Sequence, residues 1–203
     1  GGNSDRKNEG SLPGRRGDMA WAVWDGQGKD FQPWHRATLP STGELEFDVC
    51  FYCSQWQERE DGAIVMPFVT PEANTDRPTQ VGSFTMSFDG NDLAITEIGS
   101  SLVGFDRHAG VHEPSLIQFD GRYYMTMRSE YGDFRMYHAA SDDGLEWKDF
   151  GPWRWDDGIE VETENTQQHW LKHQDSLYLI YTRKSELNNG VFRSRAPVFI
   201  AQV

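Results

Sequence analysis

Residues 112–147, HEPSLIQFDGRYYMTMRSEYGDFRMYHAASDDGLEW, contain the pattern that decides the fold. Segments rich in Ile, Tyr, Phe, Met and Thr flank the dipeptide Asp120-Gly121, which favours a tight hairpin turn. A further segment of the same kind ends in a second turn sequence, SDDG, at residues 141–144. The stretch therefore predicts consecutive antiparallel strands joined by short turns.

The first half of this pattern occurs three times, each time as a strand, an acidic turn and a more aromatic second strand. The three copies are residues 53–68 (CSQWQEREDGAIVMPF), 113–128 (EPSLIQFDGRYYMTMR) and 168–183 (QHWLKHQDSLYLIYTR). Their turns lie at Asp61, Asp120 and Asp175, which are 59 and 55 residues apart. Such regular spacing indicates an internal structural repeat.

The second turn also recurs, because SFDG at residues 87–90 precedes SDDG at residues 141–144. Two hairpins thus alternate with a period near 55 residues, which predicts a four-stranded antiparallel unit and an all-β propeller built from such blades. Radial stacking buries both faces of a blade and protects its edges. We expect a loop or frayed segment at residues 1–18 and an incomplete propeller of about three to four blades at residues 19–203.

The composition of the 203-residue chain excludes several classes of protein. No apolar run approaches the roughly 20 residues of a membrane-spanning helix. With 19 Lys and Arg against 32 Asp and Glu, the net charge of -13 argues against nucleic-acid binding. The 8 Trp, 7 Tyr and 12 Phe argue against disorder.

The two cysteines, Cys50 and Cys53, are too few for a disulfide framework, and we interpret them as structural thiols. The six histidines lack the spacing of a catalytic zinc site, so we expect no metal and no other cofactor. Most tryptophans are expected in the blade core, since large aromatics dominate buried area. The tryptophans in question are Trp21, Trp24, Trp34, Trp56, Trp153, Trp155 and Trp170.

The most specific short motif is SDDGLEW, which contains Ser141, Asp143, Gly144 and Trp147. The Asp side chain can accept hydrogen bonds from the turn backbone, Gly supplies a positive φ, and the Trp is expected to pack beneath the turn. This motif resembles the Asp box of sialidases and related propellers in a shortened form. It is expected to be structural.

Over roughly residues 45–203 the sequence resembles the sialidase-like superfamily, whose complete propellers have six blades. The resemblance implies that Glu113 partners a nucleophilic Tyr and that Arg128 grips the substrate carboxylate. It implies the same carboxylate-binding role for Arg195, expected in the third strand of its blade. An Arg fork fits a carboxylate bidentately, which agrees with these roles. A structural ion pair between Glu113 and Arg128, and a surface position for Arg195, remain alternatives.

Several other polar residues are candidates for the same face of the propeller. Cys53 and Gln168 occupy positions near that of Glu113 in their own repeats and are predicted to line the pocket. Asp106, His108 and His112 crowd the loop before Glu113, where a general acid could lie. The alternative is that Asp106 only forms a turn and that both histidines are exposed to solvent.

We therefore expect an exo-glycosidase that hydrolyses a terminal acidic sugar of a glycan, secreted or periplasmic, with no nucleic-acid partner. The chain is expected to be inactive alone, because the family's nucleophilic Tyr follows the third Arg. A five-bladed glycosidase or phosphorylase, with Glu113 as general acid, is one alternative. A non-catalytic carbohydrate-binding propeller is another, because fold does not determine function.

Overall fold

A computed structural model describes most of the chain from residue 19 onward. The described ranges are residues 19–24, 26, 30–37, 54–70, 79–100, 102–104, 110–129, 134–164 and 166–203. The predicted N-terminal loop at residues 1–18 and the predicted substrate-binding Cys53 lie outside these ranges, as do Cys50, Asp106 and His108.

The described ranges contain thirteen strands in four antiparallel sheets. The strands are β1 (Met19–Trp21), β2 (His35–Ala37), β3 (Gln57–Glu58), β4 (Ile64–Val69), β5 (Val81–Phe88), β6 (Leu93–Ile98), β7 (Val111–Phe119), β8 (Arg122–Ser129), β9 (Met136–Ser141), β10 (Trp147–Pro152), β11 (His169–His173), β12 (Ser176–Tyr181) and β13 (Phe199–Gln202). We call β3–β6 blade 1, β7–β10 blade 2 and β11–β13 blade 3, while β1 and β2 form a separate ribbon.

Strands within each blade pair with their sequence neighbours, so every blade is an antiparallel meander. In these ranges the helical elements are two short 3₁₀ turns, Glu186–Asn188 and Phe192–Ser194. The predicted all-β architecture of four-stranded blades is therefore confirmed for blades 1 and 2, and blade 3 has three described strands. No helix in the described part is long and apolar enough to span a membrane.

Each predicted acidic turn joins two strands of one blade. Asp61, Asp120 and Asp175 lie between the first and second strands of blades 1, 2 and 3, and Asp143 lies between the third and fourth strands of blade 2. The Asp61 carboxylate accepts a hydrogen bond from the Ala63 N–H at 3.1 Å. Such an Asx contact explains the Asp at position 61.

The SDDG turn is held by hydrogen bonds within the motif. One carboxylate oxygen of Asp143 accepts the N–H groups of Leu145 and Glu146, both at 2.8 Å. The Ser141 hydroxyl donates to Asp143 at 2.8 Å and accepts the Gly144 N–H at 2.9 Å. Partial burial acts to raise the pKa of Asp143, but these hydrogen bonds outweigh it and lower the pKa below its usual value.

The SFDG turn repeats the central part of this arrangement, since the Asp89 carboxylate accepts the N–H groups of Asn91 and Asp92 at 2.8 Å. Trp147 is 6% exposed, so its predicted burial is confirmed. The assignment of residues 141–147 to the Asp-box family stays a prediction.

Two hydrophobic clusters join neighbouring blades. Val65 and Val81 of blade 1 pack in one cluster with Met125 of blade 2. Ile117 of blade 2 packs in another with Leu179 of blade 3. Blade 2 therefore packs against both of its neighbours, as the propeller hypothesis requires.

The expectation that most tryptophans lie in the blade core is wrong. Trp170 is buried, and Trp21 and Trp153 are partly buried. Four others are exposed, namely Trp24, Trp34, Trp56 and Trp155. These four lie in or beside the β1–β2 ribbon, before β3 and after β10, where no neighbouring blade covers them in the described structure.

Candidate functional site

Glu113 occupies a bulge at the start of the innermost strand of blade 2. His112 pairs with Arg128, but the next paired residues are Ser115 and Thr126, so β7 contains one extra residue. Glu113 has a φ of 51°, a conformation that L side chains rarely adopt and that costs about 1–3 kcal/mol. Bulges of this kind redirect a side chain, and they occur often beside active sites.

The redirected carboxylate of Glu113 meets the guanidinium of Arg128. Arg128 Nε donates to Glu113 Oε2 at 2.6 Å, and Arg128 Nη1 donates to the Ser129 carbonyl at 3.2 Å. The side chains are 14% exposed for Arg128 and 21% for Glu113, so both are partly exposed to solvent. The prediction that antiparallel pairing brings these two residues to the same end of one hairpin is confirmed.

A hydrogen bond between blades 1 and 2 supports this pair from behind. Thr79 Oγ1 and His112 Nε2 are 2.5 Å apart, and both residues are buried. Gly110 allows the approach, since a Cβ there would overlap Thr79 Oγ1 and lie 2.6 Å from the Thr79 nitrogen. Burial, with help from the Arg128 charge, lowers the pKa of His112 to about 4. His112 is therefore neutral and buried, which contradicts the expectation of a solvated histidine.

Gln168 is fully buried between blades 2 and 3. Its side-chain oxygen accepts from Thr126 Oγ1 at 3.4 Å, and its side-chain nitrogen donates to the Thr166 carbonyl at 2.7 Å. Trp153 Nε1 donates to the same Thr126 hydroxyl at 3.2 Å. This geometry favours a structural role for Gln168 and gives no support to the predicted contact with substrate.

His169, one residue further along, faces the inner strand of blade 2. Its Nδ1 lies 3.1 Å from Ser115 Oγ. Burial lowers the pKa of His169, and the nearby Glu113 carboxylate opposes that shift. The neutral imidazole of His169 thus lies near the end of the hairpin that carries Glu113.

Arg195 lies outside the strand predicted for it. It follows the 3₁₀ turn Phe192–Ser194, and β13 begins only at Phe199. Arg195 is exposed, and its guanidinium carbon lies 6.0 Å from the centre of the Phe192 ring. The expected strand position is therefore wrong, because an irregular segment separates β12 from β13. That Arg195 and Arg128 bind the same substrate carboxylate stays a prediction.

Arg183 is a basic residue that the sequence predictions missed. It follows the turn Asp175 by eight residues, as Arg128 follows Asp120, so it marks the same end of the blade 3 hairpin. Its guanidinium carbon lies 4.6 Å from the centre of the Phe199 ring. The repeat register alone would have identified it.

Three buried polar atoms lie at this same end of the three inner hairpins and have no hydrogen-bond partner in the described part of the chain. They are Ser54 Oγ before β3, Ser129 Oγ at the end of β8 and Arg183 Nε after β12. Buried polar groups without partners are costly and uncommon. Their concentration at one face of the blades favours that face as the ligand-binding side.

The described residues contain no cluster of three or more His, Cys, Asp or Glu side chains arranged to hold a metal ion. The described groups at this end of the blades include the Glu113 carboxylate, the Arg128 guanidinium and the His169 imidazole. Such groups can bind an anion and can orient hydroxyl groups.

No protein-family model matches the sequence, and none of the curated proteins matches it. Among solved structures, a protein of unknown function from Dyadobacter fermentans aligns with a TM-score of 0.58 at 13% identity, over 89% of this chain and 51% of the other. A mutant of the NanB sialidase from Streptococcus pneumoniae aligns with a TM-score of 0.53 at 15% identity, over 84% of this chain and 25% of the sialidase.

This chain thus spans about half the length of the first of these proteins and a quarter of the second. At such identities the similarity shows the fold alone. The chain shares its fold with part of this sialidase, and an incomplete propeller is consistent with the three blades described above.

Proposed function

We propose that this chain is part of a sialidase-like glycoside hydrolase that releases a terminal acidic sugar from a glycan outside the cytoplasm. The observation that carries the proposal is the ion pair between Arg128 and Glu113, placed by a bulge at the accessible end of an inner hairpin. A buried, purely structural pair would not need a strained backbone at a partly exposed position.

In this proposal the guanidinium of Arg128 binds the carboxylate of the sugar. Glu113 and the Ser129 carbonyl fix the side chain of Arg128 before substrate arrives, which reduces the entropy lost on binding. Arg195 is the proposed second carboxylate ligand. Two guanidinium groups beside one carboxylate make a locally positive pocket in a protein of net charge -13.

Glu113 has a second proposed role, as the base that assists a tyrosine nucleophile. Tyr is a poor nucleophile at neutral pH unless a base accepts its proton, and sialidases are the glycosidases that use Tyr. We propose that turnover needs this tyrosine in addition to Glu113 and Arg128. Binding of the acidic sugar needs only the two proposed carboxylate ligands, Arg128 and Arg195.

The proposal is tested by the kinetics of the complete protein that contains this chain. Arg128→Lys keeps the charge but removes the fork, so kcat/KM is expected to fall about tenfold or more on an acidic glycoside and much less on a neutral one. Arg122→Lys, at the opposite end of the same strand, is the matched control. Equal losses on both glycosides would contradict carboxylate recognition, and binding without turnover would favour a carbohydrate-binding propeller.

A further inference from the structure

The segment between β12 and β13 carries three arginines, Arg183, Arg193 and Arg195. We call residues 183–195 the arginine loop. Its backbone forms two 3₁₀ turns instead of a strand. The places of these three guanidinium groups therefore depend on the contacts that hold an irregular loop in one conformation.

Two consecutive residues of the arginine loop have a left-handed backbone. The φ angles are 54° at Arg193 and 49° at Ser194, values that residues other than glycine rarely adopt. Such strain persists only where the surrounding contacts over-determine the conformation. Ser194 is buried, and its N–H donates to the Val191 carbonyl at 3.0 Å. That bond lies within the turn itself, so a further contact is needed to hold the strained residues.

The side chain of Asn188 supplies this contact from the interior of the loop, where the residue is 3% exposed. Its Nδ2 donates to the Arg183 carbonyl at 2.7 Å and to the Ser194 carbonyl at 3.4 Å. Its Oδ1 accepts the Ser185 N–H at 2.9 Å. One buried amide thus links the beginning of the arginine loop to its strained end.

The hydrogen bond to the Ser194 carbonyl acts directly on Arg195. That carbonyl belongs to the peptide group that joins Ser194 to Arg195, and a peptide group is planar and rigid. Holding its oxygen therefore fixes the orientation of the backbone from which the Arg195 side chain extends. Asn188 can in this way control the direction of a guanidinium that it does not touch.

The chemistry of the position requires an amide. Asn188 uses both donors of its NH₂ group and its carbonyl acceptor, a combination that a carboxylate cannot replace. An Asp at this position would place an oxygen against the carbonyls of Arg183 and Ser194. The next residue, Asn189, is exposed, so the same substitution there provides a matched control.

We propose that Asn188 is a positioning residue that directs Arg195 toward the acidic sugar by holding the Ser194–Arg195 peptide group. This role rests on the proposed function, in which Arg195 is the second ligand of the sugar carboxylate. Asn188 itself is buried and makes no contact with the sugar. Its effect on binding is therefore transmitted through Arg195.

The first test needs no ligand. In the isotope-labelled chain, the ¹³Cα and ¹³Cβ chemical shifts of Arg193 and Ser194 report their backbone conformation. Asn188→Asp and Asn188→Ala are each expected to move these shifts away from left-handed values, because both remove the two donated hydrogen bonds. Asn189→Asp adds the same charge one residue further on and is expected to leave the shifts of Arg193 and Ser194 unchanged.

The second test is a double-mutant cycle on the binding of N-acetylneuraminate. Asn188→Ala is expected to weaken binding about fivefold or more, and Asn189→Asp by less than about twofold, because an exposed charge is screened. In an Arg195→Gln background, Asn188→Ala is expected to cause no further loss. A structural role unconnected with Arg195 would give the same loss in both backgrounds.

Unchanged shifts of Arg193 and Ser194 in a folded Asn188→Ala variant would overturn the proposal, and so would equal losses of affinity with and without Arg195. The amide spectrum of each variant reports whether it has folded. Absence of N-acetylneuraminate binding to the unmodified chain would contradict the proposed function and with it the assigned target of Arg195. The chemical shifts test the hold of Asn188 on the arginine loop independently of any sugar.

Discussion

The indole N–H of Trp147 in blade 2 donates to the hydroxyl of Ser83 in blade 1 at 2.8 Å. The same hydroxyl donates to the Gly144 carbonyl at 2.5 Å, so one serine of blade 1 contacts the SDDGLEW motif of blade 2 at both Gly144 and Trp147. The most specific motif in the sequence therefore stabilises a junction between blades as well as its own hairpin.

This junction predicts a large cost for removing the indole. Trp147→Ala is expected to lower the free energy of unfolding by about 3–5 kcal/mol, because it leaves a cavity and removes one of the two hydrogen bonds of the Ser83 hydroxyl. Trp56→Ala, at an exposed tryptophan, is the matched control and is expected to cost about 0.5 kcal/mol or less. Denaturant titration measures both values, and comparable losses would argue against an inter-blade role for Trp147.

A second prediction concerns the close contact beneath the Arg128–Glu113 pair. Gly110→Ala is expected to destabilise the protein by about 2 kcal/mol or more, because the new Cβ would overlap Thr79. Gly151→Ala is the control, since the nearest atom to a Cβ there is 3.9 Å away. Thermal unfolding of the two variants should separate them, and equal stability would show that Thr79 and Gly110 are not packed as described.

The buried His112 predicts a dependence of stability on pH. Its pKa falls from 6.5 to about 4 on folding, mainly through burial, so below pH 6.5 the unfolded chain binds a proton that the folded chain does not. The contribution of neutral His112 to the free energy of unfolding has its full value above about pH 6.5. It is lost progressively as the pH falls towards 4, by up to about 3 kcal/mol.

His112→Gln keeps a hydrogen-bonding group for Thr79 but cannot titrate. The free energy of unfolding of this variant should therefore depend less on pH between about 4 and 6.5. The exposed His173 supplies a control, His173→Gln, which should retain the pH dependence of the unmodified protein. A His112→Gln variant with an unchanged pH profile would mean that His112 is not held neutral in the fold.

The blades were predictable from the sequence because hairpin turns and strand periodicity are local features. The pairing of Glu113 with Arg128 was predictable for a related reason: the start of one strand must lie beside the end of the next. Arg195 was misplaced because the residues between β12 and β13 form 3₁₀ turns, for which the sequence has no periodic pattern.

The central claim is that Arg128 recognises a sugar carboxylate, and the sharpest test compares two ligands that differ only in that group. N-acetylneuraminate and its methyl ester are titrated into the chain and into the Arg128→Lys and Arg122→Lys variants. The unmodified chain and Arg122→Lys should bind the acid about tenfold or more tighter than the ester, and Arg128→Lys should lose this preference. Equal affinity of the unmodified chain for acid and ester, or an undiminished preference in Arg128→Lys, would contradict the account.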